Sequence, residues 1–179
     1  MSVWLNWIMG LMVMKSISCI LLVCLLSLLA YADETQEQQV ERLIKQFQDQ
    51  NENVRQSAAE ALGKIGKDAV PTLIQALKDQ DAEVRMNAAF ALGNIEAGTK
   101  DVVLALIQAL QDQDEDVRGS VASVLGSIRE GAKDAVPALI LLLQDQDDEG
   151  FVRSDAAEAL GKIGTPEALK AVKEYESRQ

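Results

Sequence analysis

The stretch EVRMNAAFALGNI, from Glu83 to Ile95, decides the fold because three near copies of it occur elsewhere in the chain. The four copies share the pattern V-R-x-x-A-A-x-A-L-G-x-I, called here the B unit, and they begin at Val54, Val84, Val117 and Val152. In each copy the apolar residues recur at helical spacing, so that they fall on one side of a helix. The third copy replaces two alanines with Val121 and Val124, which predicts local repacking.

A second repeated string, the A unit, alternates with the B unit. It reads ERLIKQF, PTLIQAL, LALIQAL, PALILLL and PEALKAV, beginning at Glu41, Pro71, Leu104, Pro137 and Pro166. After the first four A units comes a short acidic segment, called here the hinge, which reads DQN at Asp49 and DQD at Asp79, Asp112 and Asp145. This order predicts nine helices that alternate between A and B.

Residues that begin and end helices support this division. The third residue of each hinge is a good N-cap, since its side chain accepts orphan backbone N–H groups: Asn51, Asp81, Asp114 and Asp147. Proline suits the start of an A helix, and Gly66, Gly98 and Gly131 end or follow B helices. One helix pair cannot bury its apolar face alone. The sequence therefore predicts an all-α fold, a right-handed α-solenoid of about four and a half helix pairs.

The first 32 residues differ from the repeats and are interpreted as a signal peptide. Lys15 precedes an apolar run from Ile17 to Leu29, and Ala30-Tyr31-Ala32 has the form of a cleavage signal before Asp33. The run is shorter than the roughly 20 residues of a membrane-spanning helix. The apolar residues before Met14 leave two alternatives, a start at Met14 or a longer leader kept as a membrane anchor. We expect residues 33–179 to form the solenoid of an exported, periplasmic or secreted protein.

Composition excludes several classes of function. Lys and Arg number 17 against 28 Asp and Glu, a formal charge of −11, and such an acidic chain repels nucleic acid. Histidine is absent, which removes the commonest general base and metal ligand. Cys19 and Cys24 both lie in the leader, so the exported part contains no disulfide. We predict no catalytic residue, no cofactor and no metal site, since the acidic DQDDEG at Asp145 lacks EF-hand spacing.

Through the B-unit pattern and the acidic hinge before it, residues 36–176 resemble HEAT-repeat proteins of the subclass similar to phycobilisome-linker lyases. The resemblance implies stacked helix pairs whose B helices line a concave surface. Some relatives hydroxylate a modified lysine at a two-iron site built from His-Glu pairs, which a chain without histidine cannot form. Others attach or remove bilin chromophores, but no residue here is an identifiable chromophore contact.

The second residue of each B unit is an arginine: Arg55, Arg85, Arg118 and Arg153. One interpretation is a row of guanidinium groups that binds an anion. The favoured interpretation is a structural ladder, in which each arginine pairs with the Asp or a carbonyl group of an adjacent hinge.

Two positions of the B unit face away from its apolar side, and only the second copy fills them with large apolar residues. These are Met86 and Phe90, where the first copy has Gln56 and Glu60. A methionine and an aromatic residue four apart form one surface patch, typical of an interface. The alternative is that Phe90 fills space beside the next B helix. Phe151 is either a second patch residue or a staple on its own helix.

We therefore predict an exported scaffold that binds another protein. Met86 and Phe90 form the apolar centre of its concave surface, and the polar rim includes Asn87, Glu60 and Lys64. The acidic charge favours a partner with a basic surface. We expect a monomer that touches a membrane only through an uncleaved leader. Two alternatives stay open, a lyase-type or chaperone-like accessory factor and a membrane-anchored assembly factor.

Overall fold

The computed structural model describes residues 35–95, 99–144 and 150–178, and within these ranges the chain forms nine α-helices and no strand. The helices are α1 Gln36–Lys45, α2 Glu52–Ile65, α3 Val70–Ala76, α4 Ala82–Asn94, α5 Lys100–Ala109, α6 Glu115–Ile128, α7 Val136–Gln144, α8 Gly150–Ile163 and α9 Pro166–Glu176. Short 3₁₀ segments occupy Gln46–Gln48, Gly66–Ala69 and Arg129–Ala135. The predicted signal peptide lies outside the described residues.

The helices follow the predicted alternation of A and B units. The A helices are α1, α3, α5, α7 and α9, and the B helices are α2, α4, α6 and α8. Each B helix packs against the next B helix, and α4, α6 and α8 also pack against the A helix before them. Residues Gln39–Gln179 form one compact unit with this arrangement. The predicted all-α solenoid is confirmed.

The core is built from the same positions of every repeat. The B unit contributes a fully buried leucine in each copy: Leu62, Leu92, Leu125 and Leu160. The third position of the A unit is also fully buried in three successive repeats, at Leu73, Leu106 and Leu139. Because each helix pair repeats these positions, its apolar side is covered by the pairs beside it. One continuous core results, as expected for stacked repeats.

The acidic hinges are local caps that turn the chain from an A helix into a B helix. In the described hinges the first Asp accepts the N–H of the third hinge residue, as Asp79 does from Asp81 at 2.9 Å. The third residue then caps the B helix, since Asp81 accepts the N–H of Glu83 at 2.9 Å. Asn51 and Asp114 cap α2 and α6 in the same way, which confirms the predicted N-caps there. Asp147 lies outside the described residues.

Successive B helices approach each other at the glycine of the B unit. A Cβ atom on Gly93 would lie 2.7 Å from Val124 Cγ1, and one on Gly126 would lie 2.8 Å from Ala159 Cα. Val124, one of the two substitutions of the third copy, therefore fills the space above Gly93. Gly161 has nothing within 4 Å of such an atom. Where a further B helix packs on the stack, the glycine makes room for it.

The residue after a B helix has a positive φ at three sites. Gly66 and Gly164 have φ of 76° and 73°, as expected for helix-ending glycine. After α6 the corresponding residue is Arg129, with φ of 57°, so the positive φ there falls on a residue other than glycine. Gly131 lies two residues later, in the 3₁₀ segment. Gly98 lies outside the described residues.

Candidate protein-interaction site

Arg85 joins two neighbouring repeats through a buried ion pair. Its Nε and Nη2 atoms donate to the two carboxylate oxygens of Asp112, both at 2.7 Å. Its Nη1 atom donates to the carbonyl oxygens of Asp79 and Gln80, at 2.9 and 3.0 Å. The side chains of Arg85 and Asp112 are only 6% and 10% exposed. The guanidinium group is thus used inside the fold, where it links the hinge before α4 to the next hinge.

The other arginines occupy the same place in their own repeats. Arg55 Nη1 donates to the carbonyl oxygen of Asp49 at 2.8 Å, and its Nε lies 3.5 Å from Glu83 Oε2. Arg118 Nη1 donates to the carbonyl oxygen of Asp112 at 2.8 Å. Arg153 is partly buried at the corresponding place on α8 and is likewise not free. Arg55, Arg85 and Arg118 therefore contact backbone carbonyl groups of the hinge before their own helix. Arg85 also contacts the carboxylate of the following hinge.

The surroundings of Asp112 lower its pKa. Burial by itself would raise the pKa, but the hydrogen bonds from Arg85 and from the backbone N–H of Asp114, with the charges of Arg85 and Arg118, outweigh that effect. The same hydrogen bond to Asp112 raises the pKa of Arg85. Both shifts favour the charged pair in the folded chain.

A groove of about 820 Å³ runs between the neighbouring B helices α2 and α4. All five residues of the predicted partner-binding surface line it: Glu60, Lys64, Met86, Asn87 and Phe90. The lining also includes Glu52, Arg55, Gln56, Ala59, Gly63, Glu83 and Asn94. The structure thus brings the predicted residues together on one surface, which we call the α2–α4 groove. Whether a partner binds there stays a prediction.

Phe90 and Met86 form the apolar part of this groove. Phe90 is 44% exposed, and Met86 is partly buried against the core. Their direction follows from the helix: Ala88, Ala89, Ala91 and Leu92 take all the buried positions around Phe90. The ring therefore points to solvent in the α2–α4 groove. This placement does not support the alternative in which Phe90 fills space beside the third B unit.

Between the third and fourth B helices, α6 and α8, side chains cover the place that corresponds to the α2–α4 groove. A Cβ atom on Gly119 would lie 3.6 Å from Phe151 Cε2 and 2.7 Å from Asp155 Oδ2, so both side chains of α8 lie over α6. Phe151 remains 44% exposed. Burial, together with the nearby charge of Glu158, raises the pKa of Asp155. Phe151 is thus more than a staple on its own helix, since its ring reaches the neighbouring one.

Three exposed leucines on A helices were not predicted from the sequence. Leu104, Leu141 and Leu169 are 44%, 69% and 51% exposed. The signal for Leu141 was present, since α7 (VPALILLLQ) contains no charged residue and a helix that is apolar all round leaves an apolar side facing outward unless something covers it. Since these exposed leucines do not line the α2–α4 groove, a substitution at one of them is a control for a substitution at Phe90.

The family can now be stated. A model of HEAT repeats matches the chain three times, over residues 40–106, 70–150 and 103–177. The chain belongs to the HEAT-repeat family. It is a HEAT-repeat scaffold. A search of curated proteins finds no match.

Solved structures share this fold. In the complex of CpcE and CpcF of phycocyanin lyase from Nostoc sp. PCC7120, the matched chain is 23% identical with a TM-score of 0.66, covering 78% of this HEAT chain and 86% of that one. A chain from work on TOG–tubulin binding specificity is 16% identical with a TM-score of 0.50, covering 79% of this chain and 64% of that one. At these identities the likeness shows the fold alone.

Two kinds of site were searched for among the described residues. No group of three or more acidic or cysteine side chains there is arranged to hold a metal ion. No helix in the described part is long and apolar enough to span a membrane.

Asp112 gives the first testable prediction. Because its pKa in the folded chain lies below the ordinary value of 3.8, its contribution to stability is fully present above pH 3.8 and is lost as the pH falls through the folded pKa. Asp112→Asn leaves Arg85 buried against a neutral amide, so we expect the free energy of unfolding at pH 7 to fall by about 3 kcal/mol. Urea unfolding from pH 7 to pH 2 measures both effects.

Asp134→Asn is the control because that carboxylate is exposed. It should leave stability within about 0.5 kcal/mol of the unmodified chain. Asp112→Asn should also weaken the loss of stability in acid. Equal stability of the two variants at pH 7 would contradict the structural role given to the Arg85–Asp112 pair.

Proposed function

We propose that this chain is an exported HEAT-repeat scaffold that binds another protein through the α2–α4 groove. The observation that carries the proposal is the 44% exposure of Phe90 beside Met86, within a surface otherwise lined mostly by polar and charged side chains. Aromatic residues and methionine are enriched at the centres of interfaces, and polar rims surround them. A HEAT fold presents such surfaces without an enclosed active site, because its B helices stand side by side.

The charge of the chain supports a partner with a basic surface. The formal charge is −11, and the groove itself contains Glu52, Glu60 and Glu83. Opposite charge speeds the encounter of two proteins and suppresses partners of like charge. We infer that the chain binds this partner as a monomer, since the charged residues of α9 (PEALKAVKEYE) can face water.

A second candidate is a lyase-type or chaperone-like accessory role. It is favoured by the fold shared with a phycocyanin lyase complex and by a groove volume of about 820 Å³, within the range of small-molecule sites. A scaffold is preferred because fold likeness alone does not carry function and no histidine is present for acid–base chemistry. Specific binding of a free bilin by the purified chain, seen as a shift of its absorption spectrum, would favour the second candidate.

Phe90→Glu tests the binding surface. The chain from Asp33 serves as bait for proteins of the cell envelope, and Leu104→Glu is the matched control because Leu104 is also 44% exposed and the change in charge is the same. The unmodified chain and Leu104→Glu should retain the same partner. Phe90→Glu should weaken its binding by about thirtyfold or more, as loss of a central interface residue does.

Circular dichroism of each variant shows whether it is folded. Equal retention by folded Phe90→Glu would place the interface elsewhere. Loss of the partner with Leu104→Glu alone would assign binding to the A helices.

Export is tested by sequencing the N-terminus of the protein recovered from its source cells. A cleaved leader predicts a chain that begins at Asp33, because Ala30-Tyr31-Ala32 supplies the small residues that signal peptidase requires. A chain that begins at Met1 or Met14 would contradict cleavage and favour the membrane-anchored assembly factor.

A further inference from the structure

The α2–α4 groove has a direction, because its two helices run parallel and in register. Arg55 of α2 lies beside Glu83 of α4, with Nε 3.5 Å from Oε2, near the start of both helices. A Cβ atom on Gly63 would lie 3.3 Å from Asn94 Cβ, near the end of both. One end of the groove is therefore next to the hinges, and the other is next to the helix C-termini.

Charge differs between these two ends. Glu52 and Glu83 stand at the hinge end, where Glu83 is half exposed. The cation nearest to them, Arg55, donates to the carbonyl oxygen of Asp49 at 2.8 Å and is only 21% exposed. Two exposed carboxylates therefore share this end of the groove with one partly buried guanidinium, which favours a cation from outside.

The middle and the far end have other chemistry. Phe90 and Met86 face the middle, so an apolar side chain fits there. At the far end Lys64 and Asn94 are both exposed and both line the groove. A cationic amine and a side-chain amide suit a carboxylate or another hydrogen-bond acceptor.

The dimensions favour an extended peptide. Helix α2 has 14 residues, which at 1.5 Å per residue gives about 21 Å, the length of roughly six residues of extended chain. The close approach of Gly63 and Asn94 keeps the two helices near each other, and a bound helix about 10 Å wide would not enter between them.

We propose that the groove binds an extended segment of its partner protein in one direction. A Lys or Arg of the segment lies at the hinge end against Glu52 and Glu83. An apolar residue packs on Met86 and Phe90, and an acidic or amide residue lies against Lys64 and Asn94. The inference rests on the proposed function and adds the chemistry and the polarity of the bound segment.

The test is selection from a displayed library of random twelve-residue peptides on the chain from Asp33, which contains the whole compact unit Gln39–Gln179. Selection is repeated on two groove variants. In the first, Glu52→Lys is combined with Glu83→Gln, which reverses the charge of the hinge end. In the second, Lys64→Glu reverses the far end. Peptides from the unmodified chain are then measured against Phe90→Glu and Leu104→Glu.

The unmodified chain should enrich peptides with a basic residue on one side of an apolar residue and an acidic or amide residue on the other, always in the same order. The hinge-end variant should replace only the basic residue, and Lys64→Glu should replace only the residue at the opposite end. Phe90→Glu should weaken selected peptides at least tenfold, while Leu104→Glu leaves them unchanged. If these charged residues only stabilised the fold, changing them would not replace the residue at one end of the selected peptides.

Peptides that depend on Phe90 but keep the same charges in all three selections would overturn the direction and leave the proposed function standing. Peptides insensitive to Phe90→Glu would overturn both. A library that yields no specific peptide would overturn the proposal that the ligand is an extended segment. The proposed function would then be tested only by the capture of a folded partner with Phe90→Glu and Leu104→Glu.

Discussion

The structure depends on the close packing of each B helix on the next at small residues. Gly93 lies under Val124, and Gly126 lies under Ala159, with no room for a Cβ atom at either glycine. Packing of this kind fixes the distance between successive helix pairs more strictly than burial of leucine does, because apolar burial has no direction and tolerates changes in spacing. The buried leucines then supply most of the stabilisation, and the glycines set the geometry in which they meet.

The same constraint explains why a surface is left for binding. In α4 the buried positions around Phe90 are taken by Ala88, Ala89, Ala91 and Leu92, so the outward side is left for other large side chains. Met86 and Phe90 occupy that side in α4. The hinge adds a second restraint, because Arg85 and Asp112 join consecutive repeats through a buried bidentate pair. The α2–α4 groove itself lies between two packed helices, with Arg55 near Glu83 at one end and Gly63 close to Asn94 at the other. Such a preformed site reduces the entropy that a partner must lose on binding.

Much of the fold and of the groove could be predicted from the sequence, because the same local pattern of residues occurs in every repeat. The helices, the hinge caps at Asn51, Asp81 and Asp114 and the shared surface of Met86 and Phe90 follow from periodicity and capping chemistry. The prediction placed each arginine against an adjacent hinge, and Arg85 does contact Asp112. Which of the two adjacent hinges supplies the carboxylate could not be predicted, since it depends on the distance between repeats. Two further features could not be predicted. The positive φ of Arg129 was not expected because two of the other repeats have glycine at that position, and the exposure of Leu141 was not expected because the helices of a stack are assumed to be covered on their apolar sides.

One pair of substitutions tests the packing constraint most directly, by comparing Gly126→Ala with Gly161→Ala in urea unfolding. A Cβ atom at position 126 would lie 2.8 Å from the backbone of Ala159, whereas nothing lies within 4 Å at position 161. We expect Gly126→Ala to lower the free energy of unfolding by about 1–3 kcal/mol through overpacking. Gly161→Ala should raise it by up to about 1 kcal/mol through helix propensity. Stabilisation of both variants to the same extent would contradict the claim that the glycines set the spacing of the stack.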